Sequence, residues 1–202
     1  MSATSYPDVS RETAERLHRY AELVRKWNPS INLVAKRDLE LLETRHIADS
    51  LQLAAFLPSR GHWVDLGSGG GFPGIVVAAA ARDRSPELRF TLVESDARKA
   101  AFLATAIREL DLNAAILARR IEAVDPLGAD IVSARALAPL DRLIALGLPH
   151  LAPGGRMIFP KGRRAEDEIR DARAQWKFDC VAHKSDTDPE ARILEISRAE
   201  HG

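Results

Sequence analysis

The chain holds one cysteine, Cys180, in 202 residues. A single thiol closes no intramolecular disulfide and builds no cysteine metal site, so no metal is expected and a reducing compartment fits. An excess of charge is also missing. Lys plus Arg and Asp plus Glu number 29 each, for a formal net charge of zero. No global positive field advertises a polyanionic partner, and any RNA contact has to be a local patch. No apolar run approaches the roughly 20 residues of a membrane span. The opening MSATSYPDVS lacks the basic and apolar segments of a secretory leader, so a cytoplasmic protein without a membrane partner is expected. Internal repeats and low-complexity tracts are absent too, which removes solenoids and disordered tails. What is present is 46% hydrophobic and 29% charged, ordinary for a globular protein with one substantial core.

Leu17, Tyr20, Ala21, Val24 and Trp27 recur at helical spacing in residues 10–27. Trp27-Asn28-Pro29-Ser30 reads as a break, and a second helical stretch runs from Asp38 to about Phe56. Residues 1–60 are therefore read as an N-terminal helical cap and 61–202 as the core. From His62 onward, strands at 63–66, 89–94, 114–118, 130–134 and 156–160 alternate with helical or turn material, the clearest helix being 97–110. A charged helix over 163–175 and two final strands at 177–181 and 192–197 close the chain. Such alternation predicts an α/β fold, Rossmann-like, with a mostly parallel seven-stranded sheet and helices on both faces.

Between the first strand and an apolar helix stands VDLGSGGGFPG, residues 64–74. Where a strand hands over to a helix, free backbone N–H groups face outward and glycines let a ligand approach the main chain. A dinucleotide fingerprint needs its third glycine at position 72, which is Phe72. The run instead spells Asp65-x-Gly67-x-Gly69-x-Gly71 around Ser68, the spacing typical of S-adenosylmethionine-dependent methyltransferases. Asp65 points the same way, because a carboxylate suits a cationic methyl donor and repels a pyrophosphate. Glu94, ending the second strand, can accept hydrogen bonds from two ribose hydroxyls, and Ile121-Glu122 follows the third strand, where this fold usually holds adenine.

The acceptor narrows by exclusion. Carbon-5 pyrimidine chemistry needs a cysteine nucleophile beside the cofactor, but Cys180 lies in the tail. Exocyclic amines call for an Asn/Asp-Pro-Pro-aromatic motif after the fourth strand, where Ser133-Ala134-Arg135-Ala136 stands. A ribose 2′-hydroxyl enzyme pairs a lysine with an aspartate, yet beside Lys161 position 135 offers a guanidinium. An acceptor that is already nucleophilic, such as guanine N7, remains. A nucleotide-dependent oxidoreductase and a non-catalytic binding or assembly factor are the alternatives from other classes.

Trp27-Asn28, Asn32-Leu33, Arg45-His46-Ile47-x-Asp49-Ser50, Asp65 through Gly74, Ser133-Ala134-Arg135-Ala136 and Lys161-Gly162 together resemble the RsmG family, also called glucose-inhibited division protein B, over nearly the whole chain. The resemblance implies a class I S-adenosylmethionine-dependent enzyme. Its implied reaction is methylation of guanine N7 in the decoding-region loop of 16S ribosomal RNA, on a small ribosomal subunit or its precursor. It also implies that Gly67, Gly69, Gly71 and Phe72 line the cofactor, that Glu94 takes the ribose, and that Asn32, Arg45, His46, Arg135, Lys161 and Arg192 form the active face. Arg45, Lys161, Arg163 and Arg192 are the expected RNA cations. Plainer readings stand beside these: Arg45 pairing with Asp49 at i, i+4, His46 packed in the core, Asn32 bracing a turn, and Lys161-Gly162-Arg163-Arg164 as a solvated helix start.

Overall fold

The computed structural model describes Tyr6 and residues 9–202. Most of the opening segment read for leader character therefore lies outside the described residues. The first helix, α1 (Arg11–Ile31), is capped by Ser10, whose side chain accepts the Thr13 amide. It does not break at 27–30. Pro29 is carried in its last turns, and the chain turns at Asn32, with φ +46° and its N–H on Asn28 O. Asn28 is buried because its Oδ1 accepts the Val34 amide at 2.8 Å, which pins the departing strand of chain. The expected second cap helix is a composite: 3₁₀ at Lys36–Asp38, π at Leu42–Ile47, the short α2 (Ala48–Leu51) and 3₁₀ at Gln52–Phe56. The π segment carries Arg45 and His46. Among the described residues no helix is long and apolar enough to cross a membrane.

All seven expected strands form: β1 (Arg60–Leu66), β2 (Glu87–Val93), β3 (Ala114–Leu117), β4 (Ala129–Ser133), β5 (Leu151–Lys161), β6 (Trp176–Lys184) and β7 (Arg192–His201). They make one sheet in the order β3-β2-β1-β4-β5-β7-β6, with β7 antiparallel to both neighbours and the other pairings parallel. The strands are interleaved with α3 (Gly74–Arg84), α4 (Ala97–Glu109), α5 (Leu140–Gly147) and α6 (Ala165–Ala172). The charged helix read over 163–175 is thus the shorter α6, since Arg164 and Arg173 are its flanking caps.

Alternation along β1 sends Trp63 to one face and Val64 and Leu66 to the other. On the Trp63 face, Leu17, Tyr20 and Val24 of α1, with Leu42, Ile47 and Leu53, share a core with Ile75 and Phe102. On the other face, α5 and α6 pack on Val132, Met157 and Phe159. Strand order reverses at β1, with β2 on one side and β4 on the other, so a crevice is expected beyond the C-terminal ends of these strands. Two cavities open there.

Candidate active site

The loop after β1 is held open from below and beside. Asp65, 1% exposed, is the last residue but one of β1; its Oδ1 accepts the Ser133 hydroxyl of neighbouring β4 at 2.7 Å and its Oδ2 accepts the Gly74 amide at 3.3 Å. The indole of Trp63 donates to the same Ser133 oxygen at 2.8 Å. Burial pushes the Asp65 carboxyl up to about 6, against the pull of Ser133, Ser68 and Gly74. Glu94, just past β2, accepts the Gly69 amide on one oxygen and the Asp96 amide on the other, at 2.9 and 2.7 Å. Gly69 has φ +56°, and a side chain there would meet only Gly67 O at 3.8 Å, so its main chain is bare to open space. The resulting cleft, about 470 Å³, is walled by Gly67–Gly70, Phe72, Glu94, Ile121, Glu122 and the loop after β4.

Arg135, in that last loop, borders this cleft and also a larger cavity of about 1200 Å³. Three contacts fix it. Its Nη1 donates to Asp49 Oδ2 at 3.4 Å, its Nη2 donates to His46 Nδ1 at 3.1 Å, and its guanidinium carbon lies 5.1 Å from the centroid of Phe72. A guanidinium only donates, so His46 accepts at Nδ1 and carries its proton on Nε2. Among the described residues the buried Nε2 has no hydrogen-bond partner and lies 3.7 Å from Asp38 Oδ2. Burial and the Arg135 charge hold the His46 pKa below the ordinary histidine value. His46 is therefore neutral at pH 7.

The family described as GidB, rRNA small subunit methyltransferase G, matches residues 13–192. The chain belongs to that family. A relative from Paracoccus denitrificans is 54% identical over 96% of this chain and 98% of its own, and one from Cereibacter sphaeroides 53% over 96% and 95%; both are called Ribosomal RNA small subunit methyltransferase G. Among solved structures, TYW2 of M. jannaschii in complex with AdoMet aligns over 75% of this chain and 73% of that one, with TM-score 0.56 and 15% identity. At that identity the likeness concerns the fold, which is Rossmann-like and of class I.

Family membership leaves open where each expected residue stands. Gly67, Ser68, Gly69, Phe72, Glu94, Ile121, Glu122 and Arg135 all border the smaller cleft. Two members of the expected set do not. Asp65 lies under the loop, engaged by Ser133 and Gly74 rather than facing the cleft, because the charge of a buried carboxyl has to be met by nearby donors. Gly71 is buried where a side chain would strike Ile75 and Tyr20 at 2.6–2.7 Å, so it serves packing. Glu122 is exposed and paired with Arg142.

On the larger cavity, Arg45, His46, Arg135, Lys161 and Arg192 converge, while Asn32 and Arg163 do not border it. Asn32 ends α1, the bracing role. Arg45 pairs with Asp38, not Asp49, whose carboxylate is turned to Arg135; the π turn shifts the i, i+4 geometry on which that pairing depended. Lys161 is the larger departure. Its side chain is 9% exposed, and its ammonium bonds Glu168 Oε2 at 2.7 Å and Ala138 O at 2.9 Å. Glu168 Oε2 also accepts the Leu140 amide at 2.9 Å, so Lys161 latches the loop after β4 instead of presenting a free cation. Arg192 differs: its Nη1 donates to Pro189 O and Ala191 O at 2.8 Å, which steadies the side chain without neutralising its charge. Sequence reading missed Glu168, Leu137 and Thr187 at these cavities. Only Glu168 carried a signal, a carboxylate one helical turn beyond the basic start of its segment.

Proposed function

We propose that the chain transfers the methyl group of S-adenosylmethionine to N7 of a guanine in the decoding-region loop of 16S rRNA, acting in the cytoplasm on a small ribosomal subunit or its precursor. The observation that carries this reading is the family match across residues 13–192. The smaller cleft fits the cosubstrate. The backbone at Gly69 is open to close approach, and the Glu94 carboxylate, though holding the loop, retains lone pairs for hydroxyl donors. In this reading Gly67, Ser68, Gly69 and Phe72 line the methionine and adenosine side, Glu94 takes the ribose, and Ile121 and Glu122 bound the adenine. Residues 1–60 act as the cap and 61–202 as the catalytic unit.

S-adenosylmethionine supplies an electrophilic methyl group on a sulfonium. The chain's own task is to orient the acceptor and exclude water. His46 and Asp49, the titratable groups on the Arg135 guanidinium, are both engaged by it, and the one free nitrogen of His46 is a donor. Among the described residues no unengaged base contacts Arg135, which favours an acceptor such as N7 that has no proton to lose. The test is transfer of labelled methyl to small subunits from a strain lacking the modification, followed by chemical cleavage at N7-methylated guanine. Label that is cleavable at one decoding-loop guanine is expected. Label on another atom, or none despite bound S-adenosylmethionine, would overturn the reading.

A further inference from the structure

The 185–191 loop, between β6 and β7, borders the larger cavity through Ser185, Thr187 and Asp188. It is also bonded to the cap, some 135 residues earlier in the chain. Thr187 Oγ1 donates to Asp49 Oδ1 at 3.0 Å and accepts from Gln52 Nε2 at 3.0 Å. Gln52 donates to the same Asp49 oxygen at 3.2 Å, and its Oε1 accepts the Asp186 amide at 2.6 Å. The two oxygens of Asp49 are thus divided: Oδ1 belongs to the loop and Oδ2 to Arg135.

We propose that Thr187 and Gln52 are positioning residues for methyl transfer, setting Arg135 through Asp49. This rests on the methyltransferase reading above. An aspartate carboxylate turns readily about its terminal torsion. Two donors on Oδ1 stop that rotation and leave Oδ2 facing the guanidinium, whose other polar anchor among the described residues is His46. Without them the 3.4 Å contact to Arg135 has nothing to hold its direction. The loop also forms a wall of the larger cavity, so an acceptor seated there touches the element that sets Arg135. Seating and alignment are thereby coupled through one carboxylate. A loop that merely staples sheet to cap would add stability but would not distinguish chains with and without Arg135.

The experiment compares Thr187→Val, Thr187→Ser and Gln52→Leu, each with Arg135 intact and in an Arg135→Ala background. Single-turnover methylation of small subunits and hydrogen exchange of the 134–138 amides are the readouts. With Arg135 intact, Thr187→Val and Gln52→Leu are expected to slow methylation about tenfold at saturating subunit, with half-saturation changed less than about twofold, and Thr187→Ser to restore the rate. In Arg135→Ala, Thr187→Val should cost less than about twofold further. The 134–138 amides should exchange faster in Thr187→Val and not in Thr187→Ser. Equal cost in both backgrounds, or unchanged exchange at 134–138, would overturn the proposal. A wild-type chain that methylates nothing would sink the methyltransferase reading instead, while the exchange data still decide the coupling.

Discussion

Glu94 grips the glycine loop at Gly69, its Oε2 accepting that amide at 2.9 Å while its Oε1 holds the Asp96 amide at 2.7 Å. One carboxylate thus braces the loop after β1 against the start of α4. Glu94→Ala leaves two part-buried backbone donors without their side-chain partner, which costs about 1 kcal/mol of stability, since water can reach the Gly69 side. Calorimetric titration should also find S-adenosylmethionine bound at least about tenfold more weakly, because the loop is no longer preorganised and the ribose acceptor is gone. A variant that melts like wild type, with only its affinity reduced, would remove the bracing role.

Asp65 makes a pH prediction. Its folded pKa, about 6, lies above the ordinary 3.8 because the group is buried. Between those values the folded chain keeps a proton that the unfolded chain has lost. This group's contribution therefore favours folding below about pH 4, declines as pH rises toward 6, and is flat above. The difference amounts to up to about 3 kcal/mol. Other carboxyls, such as Glu43 and Asp83, are pushed up by burial but pulled down further by their partners, and act in the opposite sense. The measurement is therefore a subtraction: denaturant melts of wild type and Asp65→Asn from about pH 4 to 6.5, in which wild type should lose ground relative to the variant as pH rises. A constant difference would mean that Asp65 is ionised throughout.

The architecture was legible because its signals are local and periodic. Alternation in β1 to β5, the apolar face of α4 and the glycine loop each declare themselves within a short window. β5 begins at Leu151, ahead of the strand expected at 156–160, across a Pro153-Gly154-Gly155 stretch whose composition carries no strand pattern. Pro29 reads as a breaker, so the end of α1 was placed too early. The smaller cleft was legible because the glycine loop lies in one short stretch and its other walls, Glu94, Ile121-Glu122 and Arg135, follow the ends of successive strands. The larger cavity was not, since its geometry depends on pairings between distant segments: Arg135 with His46 and Asp49, and Asp49 with Thr187. A charged residue's type is visible in a sequence. Whether another side chain already occupies it is not.

His46 makes a second pH prediction. Held neutral by burial and by Arg135, it titrates below the ordinary histidine value of 6.5. Methylation should then be level through neutral pH and fall only on the acid side of that value, where a protonated Nδ1 can no longer accept from Arg135 and adds a like charge beside it. His46→Asn, which can accept with its side-chain oxygen, should lose this acid limb. A single-turnover rate that climbs about tenfold per pH unit through neutrality, and is lost in the variant, would make His46 a general base and displace N7 as the acceptor.

The last prediction concerns which cations hold a polyanionic substrate when formal net charge is zero. The sequence pointed to Arg45, Lys161, Arg163 and Arg192; of these Lys161 is ion-paired with Glu168 and bound to Ala138 O, whereas Arg192, held by neutral carbonyls through one nitrogen, keeps its charge. Arg119 and Arg120, on the rim of the smaller cleft, and Arg164, on the larger cavity, are exposed, and none has an ion-pair partner among the described residues. Each phosphate contact releases counterions, so losing one should flatten the log-log salt dependence of RNA binding by roughly 0.7 to 0.9. Arg119→Ala, Arg120→Ala and Arg164→Ala are expected to show that change. Lys161→Ala should leave the slope alone and instead slow single-turnover methylation, because Glu168 and the loop carrying Arg135 lose their latch, and Glu168→Ala should slow it similarly. Salt series of RNA-binding isotherms alongside single-turnover rates separate the two roles. A flattened slope in Lys161→Ala with a wild-type rate would return that lysine to the RNA surface.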